Sequence, residues 1–240
     1  MSSIEPRIIV IGPGRLGRAL ATALARVDYD VVGPLARGDA RPQFTGHDVV
    51  LLCVRDDQIA GVAATIPIGP LVGHCAGALT LDVLGARDSF SFHPLLSIAG
   101  DVTSFAGAAC AIAANNDRAL SLARELAERL QMDGLVIRDD DRSLYHAAAS
   151  MASNYLVTLE ASADRLASSV GIERHHLARL AQSALENWAR LGAAALTGPI
   201  VRGDEATVQR QREAVVRAAP DLEPMWDALA ESTRRLARAQ

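Results

Sequence analysis

The chain of 240 residues contains no lysine; all 24 of its basic residues are arginine. Arginine stays protonated at any pH at which an enzyme works, so it holds anions but forms no Schiff base and is a poor proton donor. Every lysine-based mechanism is therefore excluded. Cysteine is scarce too: Cys53, Cys75 and Cys110 each sit in an apolar run of strand character, odd in number and without metal-ligand spacing. Buried free thiols and no metal are expected. Long hydrophobic runs are missing, since no stretch reaches the roughly 20 uncharged apolar residues of a membrane span. The opening MSSIEPRIIVIG has no basic leader ahead of a signal-peptide core, so a cytoplasmic protein with no membrane partner is expected. Nor is there an excess of positive charge. The net charge is -4, with 12 arginines against 14 acids on either side of residue 138, which argues against a nucleic-acid partner.

What is present is 50% hydrophobic, enough for one large domain or two modest ones. Residues 7–12, 30–35, 48–54 and 70–75 are short apolar runs that read as strands. Between the first two, RLGRALATALARV carries Leu16, Leu20 and Leu24 at the spacing of one helix face, completing a βαβ unit. DDQIAGVAATI, with two aspartates at its positive N-terminal end, and TLDVLG read as further helices. GAACAIAA, NDRALSLARELAERL and GLVIR read as strand, helix, strand. This alternation predicts an α/β Rossmann-like domain over residues 1–138, with a mainly parallel sheet covered on both faces. The pattern then changes. Residues 139–169 contain neither glycine nor proline and begin with three aspartates able to cap a helix, which predicts one long helix. Further helical stretches, broken by TGPIVRG and Pro220, predict an all-α domain over residues 139–240.

Gly12, Gly14 and Gly17 follow a strand and open a helix. That context fits a dinucleotide fingerprint: a tight turn, close backbone approach to a pyrophosphate, and tight packing of helix on strand. Free amides at the helix start, at Arg15 and Leu16, would form the anion site. The other reading is a vestigial fold that binds no nucleotide. NAD-binding versions place an acid at the end of the second strand. Here VVGPLARG puts Leu35 in that place, Arg37 two positions later and Arg41 nearby. An arginine there suits a 2'-phosphate, so NADP(H) is expected in preference to NAD(H), unless Arg37 is simply a solvated loop residue. Val54, Arg55, Ala76 and Gly77 end the third and fourth strands on the same carboxyl edge and are expected to line the cofactor.

Two segments carry side chains suited to proton transfer. In SFSFHPLLSIAG a short strand ends at His93, with Ser97 nearby; His93 faces either the nicotinamide or only its own backbone. In the long helix, at 100° per residue, Ser150, Ser153, Val157 and Glu160 lie within 40° of His146, with Asn154 at the margin. This stripe reads as a site wall or as a solvated or dimer-buried face, and Met151, Tyr155, Leu159 and Leu166 form the opposite packing face. His146 is the preferred general acid because imidazole titrates near neutrality. The loop LTGPIVRGD offers Thr197 and Arg202 to a substrate carboxylate, or is a connector in which Asp204 caps the next helix. His175 and His176, adjacent on a helix, are expected to diverge and are given no metal role.

GPGRLGRA, SFHPL, LYHAAASMASNYL and LTGPIVRGD together resemble a bacterial family with an N-terminal Rossmann-like domain and a C-terminal helical domain of formerly unknown function. It looks like a branch of the group holding pyrroline-5-carboxylate reductase, prephenate dehydrogenase and 6-phosphogluconate dehydrogenase. The resemblance implies hydride transfer with NADP(H) or NAD(H), and C-terminal helices that build the substrate site and a homodimer. FHPL is similar to the His-Pro motif of prephenate dehydrogenases, which implies a site role for His93. YHAAASMASNY occupies the place where 6-phosphogluconate dehydrogenase relatives carry a catalytic lysine followed by asparagine. His146 sits near the place of that lysine, so its role is inferred and not transferred. Some members resemble an alternative ketopantoate reductase, although the usual ones rely on a lysine. The expected activity is NADPH-dependent reduction of a small carboxylate-bearing ketone or imine. His146 or His93 would donate the proton, and Ser97, Ser150, Ser153 and Asn154 would orient the substrate. Pyrroline-5-carboxylate reduction and a non-catalytic NADP(H)-binding sensor or scaffold dimer are the alternatives.

Overall fold

The computed structural model describes residues 6–100 and 104–239. The chain divides into two compact units, Met1–Met151 and Ala152–Gln240. In the first, strands β1 (Ile8–Ile11), β2 (Val31–Leu35), β3 (Val49–Leu52), β4 (Leu71–His74), β5 (Ser89–Pro94), β6 (Ala109–Ala114) and β7 (Asp133–Val136) form one sheet in the order β2-β1-β3-β4-β5-β6-β7. Strands β1 to β5 run parallel; β6 pairs antiparallel with β5 and parallel with β7. Pro34 is tolerated because β2 is an edge strand, where a missing N–H costs no ladder bond inside the sheet.

Both faces of the sheet are covered, which is why its strands read as unbroken apolar runs. Ile8, Val10, Val49 and Leu51 pack on one face with Leu20 and Leu24 of helix α1 (Arg15–Arg26) and Leu122 and Leu126 of α3 (Asp117–Arg129). Ile9, Ile11, Val50 and Leu52 pack on the other with Ile59 of α2 (Asp56–Ala63). Burying each such leucine contributes about 2 kcal/mol. Asn116 starts α3 by accepting a bond from the Ala119 amide at 2.9 Å. TLDVLG makes only a single 3-10 turn, Leu81–Leu84, and not an α-helix.

The long helical run begins with a 3-10 turn at Asp139–Asp141, continues as α4 (Arg142–Ser150), passes through a π segment at Met151–Tyr155 and resumes as α5 (Leu156–Ser168). Asp141 makes no side-chain cap at its start. The π segment widens the turn, so a wheel of 100° per residue does not hold across it. The stripe that carried His146 on to Ser153, Val157 and Glu160 is thereby broken.

The second unit continues with α6 (Arg174–Leu191), α7 (Glu205–Ala218) and α8 (Glu223–Arg238). Ion pairs tie its helices, including a two-pronged Arg165–Asp221 pair at 2.6 and 2.8 Å, each worth little in water. Among its described residues only Ala167, Val208, Val215 and Ala219 are buried apolar groups. Met151 and Tyr155, expected to pack, are 66% and 63% exposed. His175 and His176 do not diverge: their rings lie 3.8 Å apart, centre to centre, on the surface. Among the described residues no helix is long and apolar enough to cross a membrane.

Candidate active site

The three glycines of the turn after β1 are there for different reasons. Gly12 has a φ of 114°, and a Cβ on it would lie 2.4 Å from the carbonyl oxygen of Cys53. A Cβ on Gly17 would lie 1.9 Å from the carbonyl oxygen of Gly12. The fold therefore requires both. Gly14 has an ordinary φ of -66°, and a Cβ there would meet nothing nearer than 3.9 Å. Among the described residues no neighbour demands a glycine at 14, so the open space before it is what a closely approaching ligand would use.

Gly14 also begins α1 without a side-chain cap, and no acid sits in the first turn. The first helical bond is donated by Arg18 to Gly14, at 3.0 Å. The preceding amides of residues 15 to 17 have no partner within the helix and stand at the positive end of its dipole. Leu16 packs against the core, while the exposed Arg15 reaches the Ile98 carbonyl at 3.4 Å.

Beside this turn lies a cleft of about 630 Å³ lined by Gly12, Leu35, Arg37, Arg41 and Val54 among others. Its size suits a cofactor-sized ligand, and its two arginines supply what a phosphate needs. These residues fit a dinucleotide phosphate. Arg55 caps α2 and pairs with Asp57 at 3.2 Å on the surface. Beneath the turn, Cys53 and Cys75 touch through their sulfurs at 3.7 Å, and all three cysteines are free thiols, Cys53 only half-buried. The contact with the Cys53 thiol, and then burial, push Cys75 well above the usual thiol range.

A second constellation surrounds Gly77, just past β4 on the same edge. A Cβ on Gly77 would lie 2.3 Å from His146 Nδ1 and 3.0 Å from His93 Nε2. Glycine is thus what lets both imidazoles close over the strand end. The two rings meet edge to face at 5.8 Å, and His93 Nδ1 lies 2.7 Å from the Tyr145 hydroxyl. His146 Nδ1 is buried and, among the described residues, unpartnered.

These groups are held by Arg142, whose side chain is wholly buried. Its guanidinium bonds the Ser91 hydroxyl, reaches the Ala76 carbonyl at 3.5 Å and pairs with Asp139 at 3.1 Å. Asp139 in turn accepts from the Leu81 amide at 3.3 Å. Arg142 and His146 are four residues apart on α4 and share a face, so anchoring one places the other.

Desolvation, then His146 and Arg142, lower His93 to about 4. Desolvation and Arg142 do the same to His74, also to about 4, and its Nδ1 accepts from the Ala76 amide at 3.2 Å. Burial pushes the Tyr145 phenol up to about 12. Near neutrality the phenol and both these imidazoles are uncharged.

The structure thus brings together His93, His146, Ala76 and Gly77, and groups Gly12, Arg37 and Val54 around the cleft. Ser150 lies one turn along α4 from His146. Ser97 is exposed in the loop after β5. Ser153 and Asn154 fall in the π segment, and Thr197 and Arg202 lie in the second unit, where Thr197 lines an apolar cavity of about 290 Å³. Asp204 caps α7, accepting from the Thr207 amide at 3.0 Å. Sequence reasoning missed Tyr145, Arg142, Asp139, Ser91 and His74. A signal existed for Arg142: a cation in the first turn of a helix opposes the dipole and needs another reason to be there.

The sheet order, the glycine turn and the helical second unit define a Rossmann-like protein with a helical C-terminal unit. Residues 108–233 match the family described as Domain of unknown function (DUF2520), and the chain belongs to it. No curated protein matches the chain. Among solved structures it is similar to a candidate NADP oxidoreductase from Bacteroides fragilis, at 19% identity and a TM-score of 0.83, covering 97% of this chain and 100% of that one. It is similar to a protein from Thermotoga maritima at 23% identity and a TM-score of 0.75, covering 97% and 98%. It is also similar to the 1-pyrroline-5-carboxylate reductase of Streptococcus pyogenes, at 13% identity and a TM-score of 0.64, covering 98% of each chain. Likeness at these identities shows a shared fold.

Proposed function

We propose that the chain is an NADP(H)-dependent reductase of a small carboxylate-bearing ketone or imine. The observation that carries this reading is Gly14, a glycine that no described neighbour requires, at the start of α1 directly after Gly12 and Pro13, which line a cleft edged by Arg37 and Arg41. The amides of residues 15 to 17 would receive a pyrophosphate, and the two arginines a 2'-phosphate, which favours NADP(H) over NAD(H). When bound, the cofactor supplies a hydride. His93 and His146, which meet at Gly77, are the candidates to deliver a proton to the reacting atom, with Ser150 beside them on α4. Two similar folds support this reading, one a candidate NADP oxidoreductase and the other a pyrroline-5-carboxylate reductase. Ketopantoate is the most specific keto-acid candidate and pyrroline-5-carboxylate the imine. The bare apolar faces of the second unit support a homodimer formed through that unit.

The test is to mix purified protein with NADPH and a panel of 2-keto acids and cyclic imines, ketopantoate first, and to follow the absorbance of the reduced nicotinamide. Consumption with a panel member is expected. NADPH bound but consumed with none of them contradicts the reductase reading and leaves an NADP(H)-binding sensor or scaffold.

A further inference from the structure

We propose that Tyr145 and His93 form a two-proton relay that serves a neutral ketone and not a charged iminium, an inference that rests on the reductase reading above. The geometry is a chain. The Tyr145 hydroxyl lies 2.7 Å from His93 Nδ1, and the far nitrogen, Nε2, points at Gly77 on the carboxyl edge of the sheet. In the relay the phenol is the donor, so Nδ1 accepts with its lone pair. His93 therefore carries its own proton on Nε2 and presents it at the strand end. Glycine at 77 keeps that approach clear, since a Cβ there would crowd Nε2 at 3.0 Å and collide with His146 Nδ1 at 2.3 Å.

The surroundings favour this neutral form over an imidazolium. Packed against His93 are Tyr145, His146 and the buried cation Arg142 from α4, and β6 contributes Cys110, a thiol that burial holds protonated. Beyond them His74 ends β4, and Asp139, the nearby carboxylate, is engaged by Arg142. A positive charge on His93 would face a guanidinium without a free counter-ion. The same field opposes a cationic iminium, which arrives with its proton and needs no donor.

A ketone has the opposite need. Its reduction takes one hydride, the two electrons that the cofactor supplies when bound, and one proton at oxygen. As the carbonyl π pair moves onto oxygen, that oxygen takes the proton from His93 Nε2 while Nδ1 takes the proton from Tyr145. The relay ends as a neutral imidazole and a phenolate, which water reprotonates. The sum is ketone plus NADPH plus one proton giving alcohol plus NADP+. Tyr145 acts through His93 and is a positioning, proton-supplying residue.

The first test needs no substrate. Nitrogen-15 NMR of the imidazoles at pH 7, with the His93 signals assigned by their loss in His93→Gln, should show a neutral ring protonated at Nε2, with Nδ1 shifting in Tyr145→Phe. A ring protonated at Nδ1, or a cation, overturns the relay. The second uses ketopantoate and pyrroline-5-carboxylate as probes, with NADPH binding read by fluorescence. Tyr145→Phe should lower kcat on ketopantoate at least ~100-fold, with the affinity for NADPH and the KM within about twofold. An unchanged kcat, or reduction of the cyclic imine alone, overturns the inference and leaves the reductase reading standing. Failure of the wild-type protein to bind NADPH removes the reading itself. If Tyr145→Phe does not fold, the tautomer of the wild-type ring decides.

Discussion

Strand β3 and helix α6 are both rich in branched apolar residues, and they meet opposite fates. Val49, Val50, Leu51 and Leu52 are at most 1% exposed, whereas Leu180, Leu185, Trp188 and Leu191 on α6 are 68%, 52%, 61% and 48% exposed. The first unit closes its own core because helices from the same chain cover both sheet faces. The second joins its helices partly through surface ion pairs and leaves these apolar side chains of α6 exposed. An exposed apolar face containing a tryptophan is the kind of surface that the proposed homodimer would cover. The first unit carries the cleft and the His–Tyr constellation; the second leaves large apolar side chains exposed.

The strongest way to break the first unit is at Gly17. Gly17→Ala places a Cβ against backbone and should cost about 3 kcal/mol or more, measured by urea unfolding. Gly14→Ala should cost about 1 kcal/mol or less, since its dihedrals suit alanine, yet weaken NADPH binding. Equal destabilisation by the two would show that Gly14 serves the fold. Acid comes next. The folded state keeps His74 and His93 neutral down to about 4, while in the unfolded chain histidine protonates near ~6.5. Between those values the unfolded state binds more protons, so stability is full above about pH 6.5 and falls as pH drops towards ~4. The wholly buried His74 alone should contribute about 3 kcal/mol of that loss, and His74→Gln should flatten the slope by about one proton. An unchanged slope contradicts its burial as a neutral ring.

The second unit is sharpened by assembly. In sedimentation at micromolar concentration the wild-type protein should be a dimer, and Leu180→Asp combined with Trp188→Asp a monomer with an unaltered first unit. A monomeric wild-type protein removes the interface. At the cleft, Arg37→Ala should cost about 1.5–3 kcal/mol of NADPH binding and leave NADH untouched.

Much of the first unit was legible because a parallel sheet writes its strands as short apolar runs, and because Leu16, Leu20 and Leu24 mark a helix face. The glycine turn was legible in position, although only the structure separates Gly12 and Gly17, which the backbone demands, from Gly14. The π segment was not legible, since an extra residue in a turn leaves no trace in a pattern of alanines and serines. The burial of Arg142 had only one sequence signal, a cation in the first turn of a helix. DDDRSLYH reads as a solvated helix start, and the charge is buried because Ser91 and Asp139, 51 and 3 residues away, converge on it. His146 and His93 were visible as reactive side chains. Their meeting at Gly77, with Tyr145 behind, is a product of the β4-β5 pairing and of α4, which local spacing does not encode.

The central claim is that the glycine turn and its arginine-edged cleft hold NADP(H). It is tested most directly by titrating the purified protein with NADPH and with NADH, followed by nicotinamide fluorescence and thermal shift. NADPH should bind at least ~10-fold more tightly than NADH, and Arg37→Ala should erase that margin. Binding of neither would contradict the account, because Gly14 would then face open space for no reason and the reductase reading would have no cofactor.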